Sequence, residues 1–303
     1  MRTETRPNLF IVGAQKSGTS ALAGWLSQHP QVLMSFPKEP GFLAFGSNGY
    51  TYPDGWGRPA PAKQYVVTDE RAYLDLFSRA SSQQHVIGEA STWYFALPGM
   101  AHKIHDFNPD AKIIVMLRNP VERAYSAWCH AKGDELEPCE NFASALALET
   151  QRGEVEFLLR YRYMGLYSEA LADYQAVFPA AKLLVLFHDD VRADVLPVWQ
   201  QVCSFLNIDP AQVPNFAHRY NPSGQPRIRL LHKLLRSHRI RRFVRILVPR
   251  AVAIETKQRL DSINLQKYPP IDSESRAELQ AYFHTDIQKV SQLTNRDLSS
   301  WLQ

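Results

Sequence analysis

A loop of small residues around one lysine lies near the start of the sequence, between an apolar stretch and a helical pattern. The stretch reads NLFIVGAQKSGTSALAGWL from Asn8 to Leu26, and the loop itself covers residues 13–20. A strand, a turn of small residues and a helix N-terminus form an anion site, because backbone N–H groups and the helix dipole converge on the negative charge. We therefore expect a phosphate-binding loop in which Lys16 supplies positive charge.

The loop differs from that of metal-dependent nucleoside triphosphatases, which reads G-x-x-x-x-G-K-[ST]. Two glycines have the required spacing, but Thr19 stands where the lysine should be and Lys16 lies inside the loop. Such an enzyme also needs a carboxylate beyond an apolar strand to hold its metal ion, whereas the apolar stretch Lys112–Leu117 is followed by Arg118. The pattern favours an anion bound by lysine and backbone N–H groups without a metal.

Two motifs resemble those of the sulfotransferases that use 3′-phosphoadenosine 5′-phosphosulfate (PAPS). The segment AQKSGTSAL is similar to the family's 5′-phosphosulfate loop, and LRNPVERAYSAW is similar to its 3′-phosphate motif, an arginine followed eight residues later by a serine. The resemblance implies a P-loop-like fold, PAPS as sulfuryl donor and no metal cofactor. It also implies that the 3′-phosphate contacts Arg118 and Ser126. The loop residues that it places on the phosphosulfate are Gln15, Lys16, Ser17, Gly18, Thr19 and Ser20.

Sulfuryl transfer to a hydroxyl or amine needs a base for the acceptor's proton and a positive charge at the departing phosphate oxygen. Lys16 suits the second task. The segment SFPKEPGFLAF contains Glu39 and is similar to the stretch that holds a glutamate base in carbohydrate-type members of the family. The alternative role for Glu39 is an ion pair with Lys38. Other members use a histidine base, and we expect a structural role for each candidate near a strand end or helix: His85, His130 and His188.

The acceptor region departs from the carbohydrate-type pattern at two positions. Leu43 stands where those members usually have a second phenylalanine, and Ala90 follows Glu89 where they often have a lysine. Glu89 therefore either lines the acceptor site or caps the following turn. Trp93 and Tyr94 are candidate acceptor contacts, although core packing is the favoured interpretation.

The basic charge is concentrated in residues 227–250, which hold nine Lys and Arg and no acidic residue, while the rest of the chain has a net charge of −5. Apolar residues recur there at helical spacing, which predicts an amphipathic basic helical region. Three interpretations of this region are open: a solvated face packed on the domain, a lid that supplies cations to the cofactor or acceptor, and a membrane-surface contact. We favour the first. Further on, QKYPPIDSESRAEL is similar to a segment of carbohydrate N-sulfotransferases, and this resemblance places Lys267 near the 3′-phosphate.

Two other functions remain open at this point. A metal-dependent small-molecule kinase would use Asp189 or Asp190 of the segment LLVLFHDD as its metal-holding carboxylate. A non-catalytic nucleotide-binding protein would keep the phosphate loop without a base. For the sulfotransferase we expect a small-molecule or carbohydrate acceptor and no nucleic-acid partner.

Predicted strands and helices, which must position these residues, alternate along the 303-residue chain. Buried strands are predicted at Leu9–Val12, Val86–Ile87, Lys112–Leu117 and Lys182–Phe187, and helices at Thr19–Ser27, Asp69–Ala80, Val121–Ala131, Glu169–Val177, Val191–Leu206 and Ser273–Leu293. This alternation predicts an α/β fold with a doubly wound central parallel β-sheet flanked by helices, in a single domain over residues 1–303. The Pro- and Gly-rich residues 36–65 are predicted to form a long loop. The polar start and the lack of a long apolar run favour a cytoplasmic protein.

Overall fold

A five-stranded parallel sheet forms the centre of the computed structural model, which describes residues 5–46, 66–149, 151, 159–217, 225–226, 265–266 and 268–303. Its strands lie in the order β2-β3-β1-β4-β5. A separate antiparallel pair joins β6 to β7. The strands are β1 (Leu9–Gly13), β2 (Val32–Met34), β3 (Val86–Ala90), β4 (Lys112–Leu117), β5 (Leu183–Phe187), β6 (Gln225–Pro226) and β7 (Leu265–Gln266).

Helices cover both faces of the sheet. They are α1 (Thr19–Leu26), α2 (Phe42–Phe45), α3 (Glu70–Asp75), α4 (Trp93–Ala96), α5 (Met100–Phe107), α6 (Pro120–Gly133), α7 (Phe142–Glu149), α8 (Ser168–Val177), α9 (His188–Ala193), α10 (Val195–Leu206) and α11 (Ser273–Thr294). Short 3₁₀ turns cover Tyr163–Gly165, Ala180–Lys182 and Ser299–Leu302. Among the helices of the described part of the chain, none has both the length and the apolar character that a bilayer crossing requires.

The side chains of β1 show why both faces must be covered. Phe10 and Val12 pack on one side of the sheet with residues of α4, α5, α6, α8 and α11. Leu9 and Ile11 pack on the other side with residues of α1 and α10. A strand buried on both faces reads as a continuous apolar run, which is why β1 and β4 were predictable. The predicted α/β fold with a doubly wound parallel sheet is confirmed.

Several elements differ from the sequence-based expectation. The helices α2, α4, α5 and α7 were not predicted, and α2 lies within the expected loop at residues 36–65. The strand β2 has only three residues, too few to give a periodic signal, and was missed. The predicted helix Val191–Leu206 is interrupted at Asp194, whose carboxylate accepts a hydrogen bond from Leu196 N at 3.1 Å and begins α10. Asp is a strong N-cap residue, so it starts a new helix there.

The parallel order brings the carboxyl ends of β1, β3, β4 and β5 to one edge of the sheet. Loops at this edge hold ligands in open α/β sheets. The loop after β1, the start of α4 and the start of α6 all lie at this edge. The sequence motifs singled out above therefore share one side of the molecule.

Candidate active site

The phosphate loop leaves β1 at Gly13 and enters α1 at Gly18. A Cβ atom on Gly13 would lie 2.5 Å from Cβ of Phe95 in α4, so only glycine lets α4 pack against the loop. Ala14 N donates to the carbonyl of Met116 in β4 at 2.7 Å and anchors the loop to the sheet. Gly18 precedes α1 with a φ of 104°, a left-handed conformation that favours glycine, and no side chain caps the helix. The N-terminus of α1 is therefore open to an external anion.

The six predicted loop residues divide by exposure. Ser17 and Thr19 are buried. The other four, Gln15, Lys16, Gly18 and Ser20, are half-buried. Among the described residues, the N–H groups of Lys16, Gly18 and Thr19 donate to no backbone carbonyl. These amides are suited to an anion at the helix N-terminus.

Lys16 lies among other positive charges. Arg118 Nη1 donates to the Lys16 carbonyl at 3.2 Å, which holds the arginine against the loop. Burial, together with the charges of Arg118 and Arg123, lowers the pKa of Lys16 from 10.5 to about 8, while Glu39 opposes that shift. Clustered, partly desolvated cations raise the free energy of the folded protein, and a bound anion lowers it.

Arg118 does not form a close ion pair with Glu122. Its guanidinium lies 4.0 Å from Glu122, at the limit of an ion pair. Glu122 instead accepts a hydrogen bond from Arg276 of α11 at 2.7 Å. The Arg118 backbone is fixed by Tyr167, whose hydroxyl donates to the Arg118 carbonyl at 3.0 Å. The guanidinium is thus positioned with capacity left for a ligand.

Arg123, within the same motif, was missed by the sequence reasoning. Its side chain is fully buried, and Nη2 donates to the carbonyl of Tyr161. Its Nε and Nη1 have no hydrogen-bond partner in the described part of the chain. A buried cation is costly unless it is paired, so an arginine inside an otherwise apolar helix face was the available signal. It adds positive charge behind Lys16 and Arg118.

Ser126 lies on α6, the helix that begins just after Arg118. Asn119 caps this helix by accepting from Val121 N at 3.0 Å, and Pro120 occupies its first turn. Ser126 is half-buried and keeps part of its surface accessible. Arg118 therefore lies just before the capped helix α6, and Ser126 lies seven residues into it.

Glu39 lies at the same edge, after β2. Its carboxylate contacts Lys38 Nζ and accepts from Thr92 Oγ1 at 3.5 Å. Its negative charge also acts on Lys16. The ion pair with Lys38 is thus present, but it does not remove Glu39 from the site, since the side chain lies between the phosphate loop and α4.

Glu89 neither lines an open surface nor simply caps a turn. It is fully buried and accepts hydrogen bonds from Tyr73 at 2.5 Å, Ser91 at 2.5 Å and Tyr94 at 2.9 Å. Burial raises its pKa from 4.5 to about 7, although the three hydrogen bonds act to lower it. Ser91 and Tyr94 in turn accept from the backbone N–H groups of the Glu39 segment, at 3.1 and 3.2 Å. The network therefore positions the segment that carries Glu39.

The two aromatic candidates beside Glu89 belong to the core. Trp93 and Tyr94 are both buried, and Trp93 packs edge-on against Phe45 with ring centroids 5.4 Å apart. Core packing, the favoured interpretation of these two residues, is what the structure shows.

The carboxylates that a kinase would need have protein partners instead. Asp189 accepts from Trp301 Nε1 at 2.7 Å, and Asp190 forms two hydrogen bonds with Arg296 at 2.5 and 2.6 Å. Both acids lie in the first turn of α9, where negative charge stabilises the helix. These contacts tie the C-terminal segment to the end of β5.

The three histidine candidates differ in position. His85 contacts the Asn207 carbonyl at 3.1 Å, and it precedes β3, at the sheet edge opposite the site. His130 lies 3.7 Å from Asp134 in the last turn of α6. His188 packs beside Gly18, and burial together with the Arg118 charge lowers its pKa from 6.5 to about 4. Only His188 lies near the loop.

Lys267 and the basic region 227–250 lie outside the described residues. The residues that follow Lys267 pack on the Ser126 helix. The Tyr268 ring lies 5.7 Å from that of Trp128, and Tyr125 donates to the Pro269 carbonyl at 2.5 Å.

Comparison with known families identifies which anion-binding family has this geometry. The profile of the sulfotransferase family matches residues 7–212, from just before β1 to beyond α10. The chain belongs to the sulfotransferase family. The family predicted from the phosphate loop and the Arg118–Ser126 motif is thereby confirmed, and with it the enzyme class.

Individual relatives agree with this placement. A sulfotransferase of known structure from Alicyclobacillus acidocaldarius is 31% identical, with a TM-score of 0.72 over 99% of this chain and 100% of its own. The mouse bifunctional heparan sulfate N-deacetylase/N-sulfotransferase 4 is 26% identical over 98% of this chain and 31% of its own. Mouse carbohydrate sulfotransferase 15 is 29% identical over 69% of this chain and 45% of its own. The chain thus spans less than half the length of these two curated relatives.

Proposed function

We propose that this sulfotransferase transfers a sulfuryl group from PAPS to a hydroxyl or amine of a small-molecule or carbohydrate acceptor, and releases 3′-phosphoadenosine 5′-phosphate (PAP). The observation that carries the proposal is the contact of Arg118 with the Lys16 loop beside the uncapped N-terminus of α1. PAPS is anionic at both ends. The loop fits its phosphosulfate, and Arg118 with Ser126 fits its 3′-phosphate.

In the proposed reaction Glu39 accepts the proton of the acceptor hydroxyl while the acceptor oxygen forms a bond to sulfur. The bond between sulfur and the bridging phosphate oxygen breaks in the same displacement. Lys16 stabilises the negative charge that develops on that oxygen by donating a hydrogen bond to it. The position of Glu39 between Lys38, Thr92 and the loop supports its role as the base.

Nucleotide selectivity tests this function. Thermal unfolding is followed with PAP alone and, separately, with ATP and Mg²⁺. We expect PAP to raise Tm and ATP with Mg²⁺ to have a much smaller effect, because Asp189 and Asp190 are engaged by Trp301 and Arg296. A Mg²⁺-dependent stabilisation by ATP without any effect of PAP would contradict the proposal and favour phosphoryl transfer.

A further inference from the structure

A cavity of about 300 Å³ lies between the phosphate loop, α4 and α8. Gln15 of the loop and Thr92 at the start of α4 line it, as do Glu169 and Asp173 of α8. This volume is at the lower end of the range of small-molecule pockets. No step of the proposed reaction has yet been assigned to this space.

The cavity adjoins the proposed reaction centre. Gln15 immediately precedes Lys16 in the loop, and Thr92 Oγ1 lies 3.5 Å from the Glu39 carboxylate. Each of the two proposed catalytic residues is therefore adjacent in sequence to, or in contact with, a residue that lines the cavity.

The lining restricts what the cavity can hold. Its walls are mainly apolar, with Phe95, Leu97 and Met164 among the lining side chains. The charged side chains on it are Glu169 and Asp173, one turn apart on α8, and among the described lining residues there is no lysine or arginine. Gln15 Oε1 is buried without a hydrogen-bond partner in the described part of the chain, which leaves an unsatisfied acceptor on a residue that lines the cavity.

We propose that this cavity is the acceptor pocket and that it selects a compact, largely apolar acceptor that is uncharged or cationic, in preference to a polyanionic carbohydrate. The assignment rests on the proposed sulfuryl transfer. The two α8 carboxylates repel an anionic acceptor and attract an ammonium group, while the apolar walls bury its hydrocarbon part. Gln15 accepts a hydrogen bond from the hydroxyl or amine.

Three phenols of matched size test the charge preference: tyramine, tyrosol and 4-hydroxyphenylacetate, which are cationic, neutral and anionic. N-desulfated heparin serves as the polyanionic carbohydrate. Transfer of labelled sulfate from PAPS is measured at the same pH for all four acceptors. We expect kcat/KM for tyramine to exceed that for 4-hydroxyphenylacetate by about tenfold, with tyrosol between them.

The double variant Glu169→Gln/Asp173→Asn should reduce this preference by about fivefold through a higher KM for tyramine, leaving tyrosol nearly unchanged. Glu274→Gln is the matched control, because Glu274 is an exposed first-turn glutamate on α11 and does not line the cavity. It should leave the preference unchanged.

Different results would contradict the proposed function and the assignment of the cavity as the acceptor pocket. If the protein neither binds PAP nor sulfates any acceptor, the proposed function itself is wrong. If PAP binds but heparin is the preferred acceptor, or no small phenol binds or is sulfated, the pocket assignment is overturned. An unchanged charge preference in the double variant overturns it as well.

Discussion

Replacing Lys16 by methionine should increase the stability of the protein and decrease its turnover. Methionine keeps the length of the side chain and removes its charge. In the folded protein the pKa of Lys16 falls from 10.5 to about 8, chiefly through burial. The charged form is therefore disfavoured by folding, and a pKa difference of about 2.5 corresponds to about 3 kcal/mol. Lys16 keeps some contact with solvent, so we expect the variant to gain about 1–2 kcal/mol at neutral pH.

The sign of this effect depends on pH. Because the pKa of Lys16 is lower in the folded state, its charge costs stability fully at pH values below about 8, and this cost disappears as the pH rises toward 10.5. The gain from Lys16→Met should therefore shrink above about pH 8. Urea unfolding of both proteins at several pH values measures it.

Catalysis by this variant should be impaired. Turnover of Lys16→Met should fall by about 10²–10³-fold, since one donor at a developing oxyanion is worth a few kcal/mol. Lys182→Met is the control, because Lys182 forms a 2.7 Å ion pair with Asp110 on the surface, and its loss should leave turnover unchanged. A Lys16→Met protein that is less stable and equally active would refute the reasoning, since the lysine would then be a structural residue.

Three further outcomes follow from the site. Glu39→Gln should keep PAP affinity and lower turnover by about 10²–10⁴-fold, as measured by calorimetry and sulfate transfer; equal turnover would remove Glu39 as the base. In the wild type, kcat/KM should fall as the pH rises through about 8, where Lys16 loses its proton, and a flat profile to pH 9 would contradict this. The raised pKa of Glu89, about 7, predicts a contribution to stability that is complete below pH 4.5 and lost as the pH rises through about 7, by up to about 3 kcal/mol. Glu89→Gln should flatten this pH dependence, and an unchanged slope would mean that Glu89 does not titrate there.

The sequence predicted the parts of the fold that local pattern determines. The strands β1 and β4 are continuous apolar runs, and the loop after β1 has a distinctive order of small residues. By contrast, β3 contains Gly88 and Glu89, residues that are depleted in strands. Gly88 is needed because a Cβ there would meet Met34 Sδ at 2.9 Å and Leu9 Cδ2 at 3.0 Å, a contact made only in the assembled sheet.

The site was predictable where a motif is local and unpredictable where it depends on packing. Lys16, Arg118 and Glu39 come from three separate loops, yet the parallel order of the sheet brings their segments to one edge. The buried role of Glu89 depends on its contact with Tyr73, and that of Arg123 depends on its contact with Tyr161. The spacing of residues along the sequence does not predict either contact. The roles of individual site residues, the single domain over residues 1–303 and the cytoplasmic location stay predictions.

The central claim is that Arg118 holds the 3′-phosphate of the sulfuryl donor. Its most direct measurement is calorimetric titration of the wild type and Arg118→Met with PAP and with AMP, which lacks that phosphate. The account predicts that the wild type binds PAP about 10–100-fold more tightly than AMP, as expected for charge-assisted hydrogen bonds. It predicts that Arg118→Met largely loses this difference and keeps its affinity for AMP. Equal binding of PAP and AMP by the wild type, or an undiminished preference in the variant, would contradict the claim.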